Sequence, residues 1–156
     1  MAWVARIWSA LALHEELPST HGMDAQDAEL FNDSLGRCLR TPEFLNRFYE
    51  LFLASSDEVT RKFAHTDFRV QVRMLKGSLY LMMLASSGSS EMLSDLERVA
   101  KLHSRTEMDI RPELYDLWLD CLVQAVQQFD PLFDEGVERV WRLGLEPGIA
   151  FMKSRY

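Results

Sequence analysis

The sequence predicts an all-α protein, and three observations support this prediction. Apolar residues recur at three- and four-residue spacings along nearly all 156 residues, which is the spacing that places side chains on one face of an α-helix. No stretch alternates apolar and polar residues for long enough to form a sheet. Boundary signals such as Thr41-Pro42, Arg111-Pro112 and Asp130-Pro131 separate the apolar runs. The expected core is therefore made of packed helices.

The composition indicates one globular domain and excludes several functions. A chain of 156 residues, 47% hydrophobic and 26% charged, is long enough to bury a continuous core. A net charge of −7 provides no basic surface for phosphates, so a nucleic-acid partner is not expected. Cys38 and Cys121 lie in helical apolar patterns without metal-type spacing. We expect both to be reduced core thiols, in a cytoplasmic protein.

The N-terminus, Met1 to Leu17, has the pattern of an amphipathic helix, followed by a polar break. We divide the chain into an N-terminal helical extension, 1–22, and a main domain, 23–156. The apolar part is too short to span a membrane and makes a poor secretory signal. The extension either caps the domain, packs in a dimer, or is a translation artefact with Met23 as the true start. Its apolar stripe, which slightly favours the dimer, comprises Trp3, Ile7, Trp8 and Leu11.

Four helices are predicted in the first half of the main domain, from apolar faces bounded by capping residues. Their predicted ranges are 24–41, 42–55, 57–63 and 66–85. Thr41 is expected to cap the second helix and Pro42 to begin it. In the fourth, Val70, Leu75 and Leu79 are expected on the apolar face. A low-complexity serine loop then follows at 86–90.

Three more helices are predicted in the second half. The first is short and places Val99, Ala100 and His103 on one apolar face. The second begins at Arg111-Pro112 and ends at Asp130-Pro131. The third covers about 132–154, with a kink expected at Pro147-Gly148.

The feature with most chemical content is His103, although a lone histidine on an apolar helix face is more often a core residue than a ligand. Here it is followed by an irregular linker and then by Asp109-Ile110-Arg111-Pro112-Glu113-Leu114-Tyr115, which opens a long helix. Leu102-His103 and this run resemble the junction between the F and G helices of bacterial globins.

Two further segments resemble the same family in the same order along the chain. Phe48-Tyr49, Val59 and Phe63 resemble the B and C helices of single-domain bacterial hemoglobins and flavohemoglobins. Gln71 and Leu75 resemble the distal Gln and Leu of the E helix; a shift of one residue would present Val70 or Val72 instead. The resemblance covers about 24–156 and implies a 3-on-3 globin fold with helices A, B, C, E, F, G and H.

The resemblance implies a heme b cofactor, with His103 as the proximal ligand of the iron. Tyr49 and Gln71 would hydrogen-bond a bound ligand on the distal side. For these two, the simpler interpretation is a core aromatic and a solvated amide. Further residues implied to line the heme, which can equally serve as core packing, are Phe63, Leu75, Val99, Ile110, Tyr115 and Trp118. Candidates for the propionates, equally interpretable as solvated charges, are Arg69, Arg73, Lys76, Arg105 and Arg111.

Three functions are compatible with this resemblance. The leading one is reversible binding of O₂, and possibly of NO or CO, at the His103-ligated iron of a monomer or homodimer. The second is an NO dioxygenase or weak peroxidase; because we expect no flavin and nicotinamide modules like those of flavohemoglobins, it would depend on a separate reductase. In flavohemoglobins, a Tyr and a Glu late in the H helix hydrogen-bond around the proximal His. Tyr115 matches that Tyr, but the position of the Glu aligns with Tyr156, and the nearest earlier carboxylate is Glu146. We therefore expect His103 to donate electron density to the iron more weakly than the proximal His of flavohemoglobins does. The third is a heme-free interaction module on the same fold.

Overall fold

The computed structural model describes residues 23–85 and 99–156, and of residues 81–85 only the backbone. Regular secondary structure in these ranges is entirely helical, which confirms the all-α prediction. A final helical turn at 99–103 carries His103. The expectations for the extension 1–22, for the serine loop 86–90 and for 91–98 lie outside the described residues. The helices are α1 (Ala25–Leu39), α2 (Glu43–Ser55), α3 (Asp57–Lys62), α4 (Phe68–Ala85), α5 (Pro112–Phe129) and α6 (Glu135–Ser154).

Side-chain caps define three of the helix starts. Asp24 accepts a hydrogen bond from the Asp27 amide at 2.8 Å, at the start of α1. Ser56 accepts one from the amide of Glu58 at 3.1 Å, and Asp134 one from that of Val137 at 2.8 Å. Each bond satisfies an N–H group that has no partner within its own helix. Helix α5 begins at Pro112, as predicted.

Two predicted helix starts differ from the observed ones. Pro42 is the N-cap of α2 and Glu43 its first residue, so the cap expected of Thr41 lies one residue later. The backbone of Pro42 is already helical, with φ −58° and ψ −28°, and it leads directly into the helix. Helix α6 begins at Glu135 rather than at 132, because Asp134 supplies the cap. It continues past Pro147 to Ser154.

The core is built around Trp141 of α6, whose side chain is fully buried. The ring of Phe31 from α1 meets it edge to face, with 5.0 Å between centroids, and Phe44 from α2 lies at 6.3 Å. Helices α2 and α5 pack against each other, and α6 packs against both α1 and α5. This arrangement fixes the positions of α2 and α5, the two helices that border the candidate site.

A buried polar network joins α1 to the junction between α5 and α6. The Asp130 carboxylate is 3% exposed. It accepts hydrogen bonds from Ser34, from two nitrogens of Arg37 and from the backbone amide of Leu132. The Ser34 hydroxyl in turn accepts one from Trp141 Nε1 at 2.8 Å. A buried carboxylate is stable only with such partners, so this network ties three helices at one point.

Two expectations on cysteines and membranes can be compared with the described ranges. Cys38 and Cys121 are both free and buried, and burial raises the pKa of each thiol, that of Cys38 to about 12. They are therefore protonated core residues at neutral pH. None of the helices described is long and apolar enough to cross a membrane.

Candidate functional site

His103 lies at the end of the helical turn 99–103 and is half-buried. Its Nδ1 is 2.8 Å from the carbonyl oxygen of Val99. Since a carbonyl can only accept, Nδ1 carries the proton and Nε2 keeps its lone pair. Burial lowers the pKa of the imidazole, while the bond to Val99 acts to raise it. His103 is thus a neutral imidazole with one nitrogen fixed and the other available as a ligand.

The eight residues after His103, 104–111, form a compact turn, called here the proximal turn. Its backbone folds back on the preceding helix: the Asp109 amide donates to Ser104 at 2.9 Å and the Ile110 amide to the His103 carbonyl at 3.0 Å. Asp109 has φ +50°, the left-handed conformation that Asp tolerates better than most residues. The turn therefore brings Ile110 beside His103. The Tyr115 ring follows, with its centroid 6.4 Å from the imidazole.

Tyr49 of α2 lies among aromatic residues that form a second group, separate from the residues around His103. Its side chain is buried, with 5% of the residue exposed. Its ring is surrounded by Phe48 at 4.8 Å, Phe68 at 5.4 Å and Phe63 at 6.0 Å between centroids. Burial raises the pKa of the phenol to about 12, and a hydrogen bond with the Gln71 side chain acts in the opposite direction. The hydroxyl is therefore protonated at neutral pH, in apolar surroundings with one polar neighbour.

Helix α4 presents Gln71 and Leu75 on its inner side. Leu75 is 9% exposed and Leu79 is fully buried, and Gln71, half-buried, reaches Tyr49. Val70 is 42% exposed, so its predicted place on the apolar face is wrong. At 100° per residue, a helix that turns 71, 75 and 79 inward turns residue 70 toward its side. Val72 packs partly against the core.

The structure connects these two groups at two places. At one, Trp118, which lies one turn after Tyr115 on α5, meets Phe48 edge to face at 5.7 Å. At the other, Lys62 contacts the proximal turn while its neighbour Phe63 contacts Tyr49. The group around His103 and the group around Tyr49 are thus linked through Trp118 and Phe48 and through the neighbouring residues Lys62 and Phe63.

The basic residues considered for the propionates have different surroundings. Arg111 pairs with Glu58 through two of its nitrogens. The Arg105 guanidinium lies 6.0 Å from the centre of the Tyr156 ring. Arg69 has a side chain that is 90% exposed, with a 3.4 Å contact to Asp67. Arg111 and Arg105 are therefore used in contacts around the proximal turn, and Arg69 extends into solvent.

Phe68 and Lys62 also contact these residues, and neither was predicted from the sequence as part of the site. Phe68 stacks on Phe63 at 5.9 Å and contacts Tyr49. Its place one turn before Gln71 and two turns before Leu75 is a helical-face signal that could have identified it. Lys62 had no such signal, because its partners are backbone carbonyls distant in sequence.

Tyr156 lies close to the proximal turn. Its hydroxyl donates to Asp109 Oδ1 at 2.7 Å. Glu146 is exposed. His103 Nδ1 is therefore hydrogen-bonded to the main-chain carbonyl of Val99, whereas Tyr156 is bonded to Asp109 of the proximal turn.

Comparison with known proteins identifies a solved structure that is similar to this chain. No family model and no curated protein matches the chain. A crystal structure of a Pseudomonas aeruginosa protein, described as structurally highly homologous to a human hemoglobin, is similar with a TM-score of 0.77 and 40% sequence identity. The match covers 83% of this chain and 98% of that one. Within 23–85 and 99–156, no three His, Cys, Asp or Glu side chains are grouped to hold a metal ion.

Proposed function

The chain belongs to the bacterial globins, and on that premise we propose that it binds one b-type heme through His103 and reversibly binds a diatomic ligand beside Tyr49 and Gln71. The observation that carries the proposal is the state of His103. A neutral imidazole whose Nδ1 is held by a main-chain carbonyl presents Nε2, in a fixed orientation, as a metal ligand. A single imidazole would suffice to hold the iron, because the porphyrin of a bound heme would supply nitrogen ligands as well.

The apolar side chains around His103 and Tyr49 suit a flat, apolar macrocycle. Several pack against the core on one side and keep part of their surface exposed, so they offer area to a cofactor. These partly buried residues are Phe63, Phe68, Val72, Ile110, Tyr115 and Trp118. We include Val99, whose carbonyl oxygen lies 2.8 Å from His103 Nδ1, and Leu75, buried one turn after Gln71, among the residues that would line the heme.

The Tyr49 and Gln71 pair supports a ligand-binding role on the distal side. Ferrous heme supplies the iron to which O₂, NO or CO binds. When the Gln71 amide donates to the phenol oxygen, the hydroxyl proton of Tyr49 is left to donate to the ligand. Because the surroundings are apolar, a hydrogen bond to a polar ligand is stronger there than in water. O₂, which takes on partial negative charge, gains more from this bond than CO does.

Binding is favoured over turnover by the partner of His103. A carboxylate on Nδ1 would give the imidazole anionic character, which helps O–O chemistry. A carbonyl gives less, and here the partner is the Val99 carbonyl. The NO dioxygenase or peroxidase and the heme-free module are therefore second to reversible binding, and the cytoplasmic location remains part of the proposal.

The test is optical and uses a ligand-replacement variant. The protein is purified with heme supplied, and absorption spectra of the ferric, ferrous and CO-bound forms are recorded for the wild type and for His103→Gly. His65→Gly, a change at an exposed histidine, is the matched control. We expect a Soret band that shifts with CO in the wild type and control, and its loss or displacement in His103→Gly.

Added imidazole distinguishes a ligand from a packing residue. If His103 ligates iron, free imidazole restores a wild-type-like spectrum in His103→Gly, since it replaces the missing donor. The absence of any Soret band in a folded wild type would refute heme binding and leave the interaction module. Repeated NO consumption by the ferrous protein with a chemical reductant would favour the enzyme.

A further inference from the structure

Lys62, the last residue of α3, hydrogen-bonds to the backbone of the proximal turn. Its Nζ donates to two successive main-chain carbonyls, at 2.9 Å to Met108 and at 2.6 Å to Asp109. An ammonium group has three donors and no acceptor, so one lysine can hold two carbonyls at a fixed angle. Such charge-assisted bonds are stronger than bonds between neutral groups.

The two residues whose carbonyls Lys62 binds lie where the backbone of the proximal turn changes direction. Asp109 has its left-handed backbone at this point, and the next amide, that of Ile110, donates to the carbonyl of His103. Orienting the Met108 and Asp109 carbonyls therefore also orients the peptide that bonds to His103. A second contact from α3, the pair of Glu58 with Arg111, holds the far end of the turn.

The C-terminal end of α3 also contacts the aromatic residues around Tyr49. Phe63 follows Lys62 directly, and its ring contacts both Tyr49 and Phe68. The short helix thus lies between the distal phenol and the turn behind the histidine. Its capping by Ser56 fixes where it begins, which limits how far Lys62 can move relative to α2.

We propose that Lys62 is a positioning residue for His103: by holding the Met108 and Asp109 carbonyls it fixes the proximal turn, and thereby the orientation of the imidazole toward the iron. This inference rests on the proposed heme ligation by His103. Without the ammonium group, both carbonyls turn to water and the Ile110 amide opens more often. The imidazole then samples a wider range of orientations about its bond to Val99.

The experiment compares Lys62→Met with Lys62→Arg and with Lys153→Met. Lys62→Arg keeps donors for both carbonyls. Lys153→Met removes an ion pair with Asp116, between α5 and α6, and leaves the turn intact. Two quantities are measured: hydrogen exchange of the Ile110 amide, with and without heme, and the iron–histidine stretching band in the resonance Raman spectrum of the ferrous protein. We expect exchange about tenfold faster in Lys62→Met and a shifted or broadened band, with both restored toward wild type in Lys62→Arg.

The possible outcomes separate the positioning role of Lys62 from heme ligation by His103. Suppose that the wild type binds heme, but Lys62→Met has the same Ile110 exchange rate and the same iron–histidine band as Lys153→Met. The inference about Lys62 is then wrong, while heme ligation by His103 stands. Faster exchange with an unchanged iron–histidine band would also overturn it, because Lys62 would then only stabilise the turn. If wild type shows no Soret band, the proposed function fails and the positioning role fails with it. If Lys62→Met does not fold, Lys62→Ala, which also has no side-chain donor, replaces it in the same comparison.

Discussion

At the scale of single residues, burial outweighs hydrogen bonding in setting the charge state of both candidate site groups. Desolvation is the larger influence on the imidazole of His103 and on the phenol of Tyr49, and in both it favours the uncharged form. A neutral imidazole can donate its lone pair, and a protonated phenol can donate its hydrogen. The proposed chemistry needs both states, so the packing around these residues supports the function as well as the fold.

Replacing Tyr49 with Phe tests the distal hydrogen bond. The ring remains in its aromatic surroundings, so the change removes only the hydroxyl. If that hydroxyl donates to O₂ with the usual net strength of about 1.4 kcal/mol, O₂ dissociation accelerates by about tenfold. CO dissociation changes by less than about threefold, because CO is less polar. Stopped-flow displacement of each ligand from the ferrous protein measures both rates.

The control for this prediction is Tyr80→Phe. Tyr80 lies on α4, the helix that carries Gln71, but is 39% exposed and has the Lys76 ammonium 5.8 Å from its ring centre. It should leave both rates unchanged. Equal O₂ rates in Tyr49→Phe and wild type would show that the phenol serves only packing there.

At the scale of the elements, the sequence predicted the positions of the helices to within a few residues, with α6 beginning three residues later than expected, but it predicted the rotation of α4 less well. The caps Asp24, Ser56 and Asp134 define starts that local chemistry determines. The rotation of α4 depends on its packing against α1 and α2, which are far away in sequence. A local pattern could therefore place Val70 on the apolar face, where the structure leaves it 42% exposed.

A glycine in α1 allows a test of helix stability without changing packing. A Cβ placed at Gly36 meets nothing within 4 Å. Gly36→Ala should therefore raise the free energy of unfolding by about 0.5–1 kcal/mol, since alanine loses less backbone entropy in a helix. Urea unfolding followed by circular dichroism measures the change.

Gly144→Ala in α6 is the matched comparison. There the added Cβ meets the Met23 sulfur at 3.3 Å and the Phe31 ring at 3.7 Å. We expect a smaller gain or a loss, because Met23 must move aside. A larger gain at Gly144 than at Gly36 would contradict the packing described for α1 and α6.

At the scale of the whole molecule, the sequence predicted what depends on order along the chain and missed what depends on distant contacts. The order of helices and the grouping of Tyr49 with Gln71 followed from separated motifs that agree with one fold. The contact of Lys62 with the Met108 carbonyl could not be predicted, because main-chain carbonyls occur at every residue. The network around Asp130 was missed for a similar reason, since Asp130 was interpreted only as the end of a helix.

That network predicts how the stability of the whole molecule depends on pH. Desolvation acts to raise the Asp130 pKa, but the bonds from Arg37 and Ser34 together prevail and lower it below the ordinary 3.8. The folded state thus binds the proton less readily than the unfolded state. The stabilisation is complete above pH 3.8 and is lost as the pH falls further toward the folded-state pKa.

Asp130→Asn should cost about 3 kcal/mol at pH 7, because it leaves the partly buried Arg37 without its counter-charge. The difference from wild type should narrow as the pH falls below 3.8, because the unfolded chain then binds a proton at Asp130 more readily than the folded state does. Asp120→Asn, which loses a surface pair with Arg142, should cost under about 1 kcal/mol at any pH. Urea unfolding of each protein at pH 7 and near pH 3 measures these differences in the free energy of unfolding. If the difference between Asp130→Asn and wild type stays constant with pH, the carboxylate charge is not what holds α1 to the α5–α6 junction.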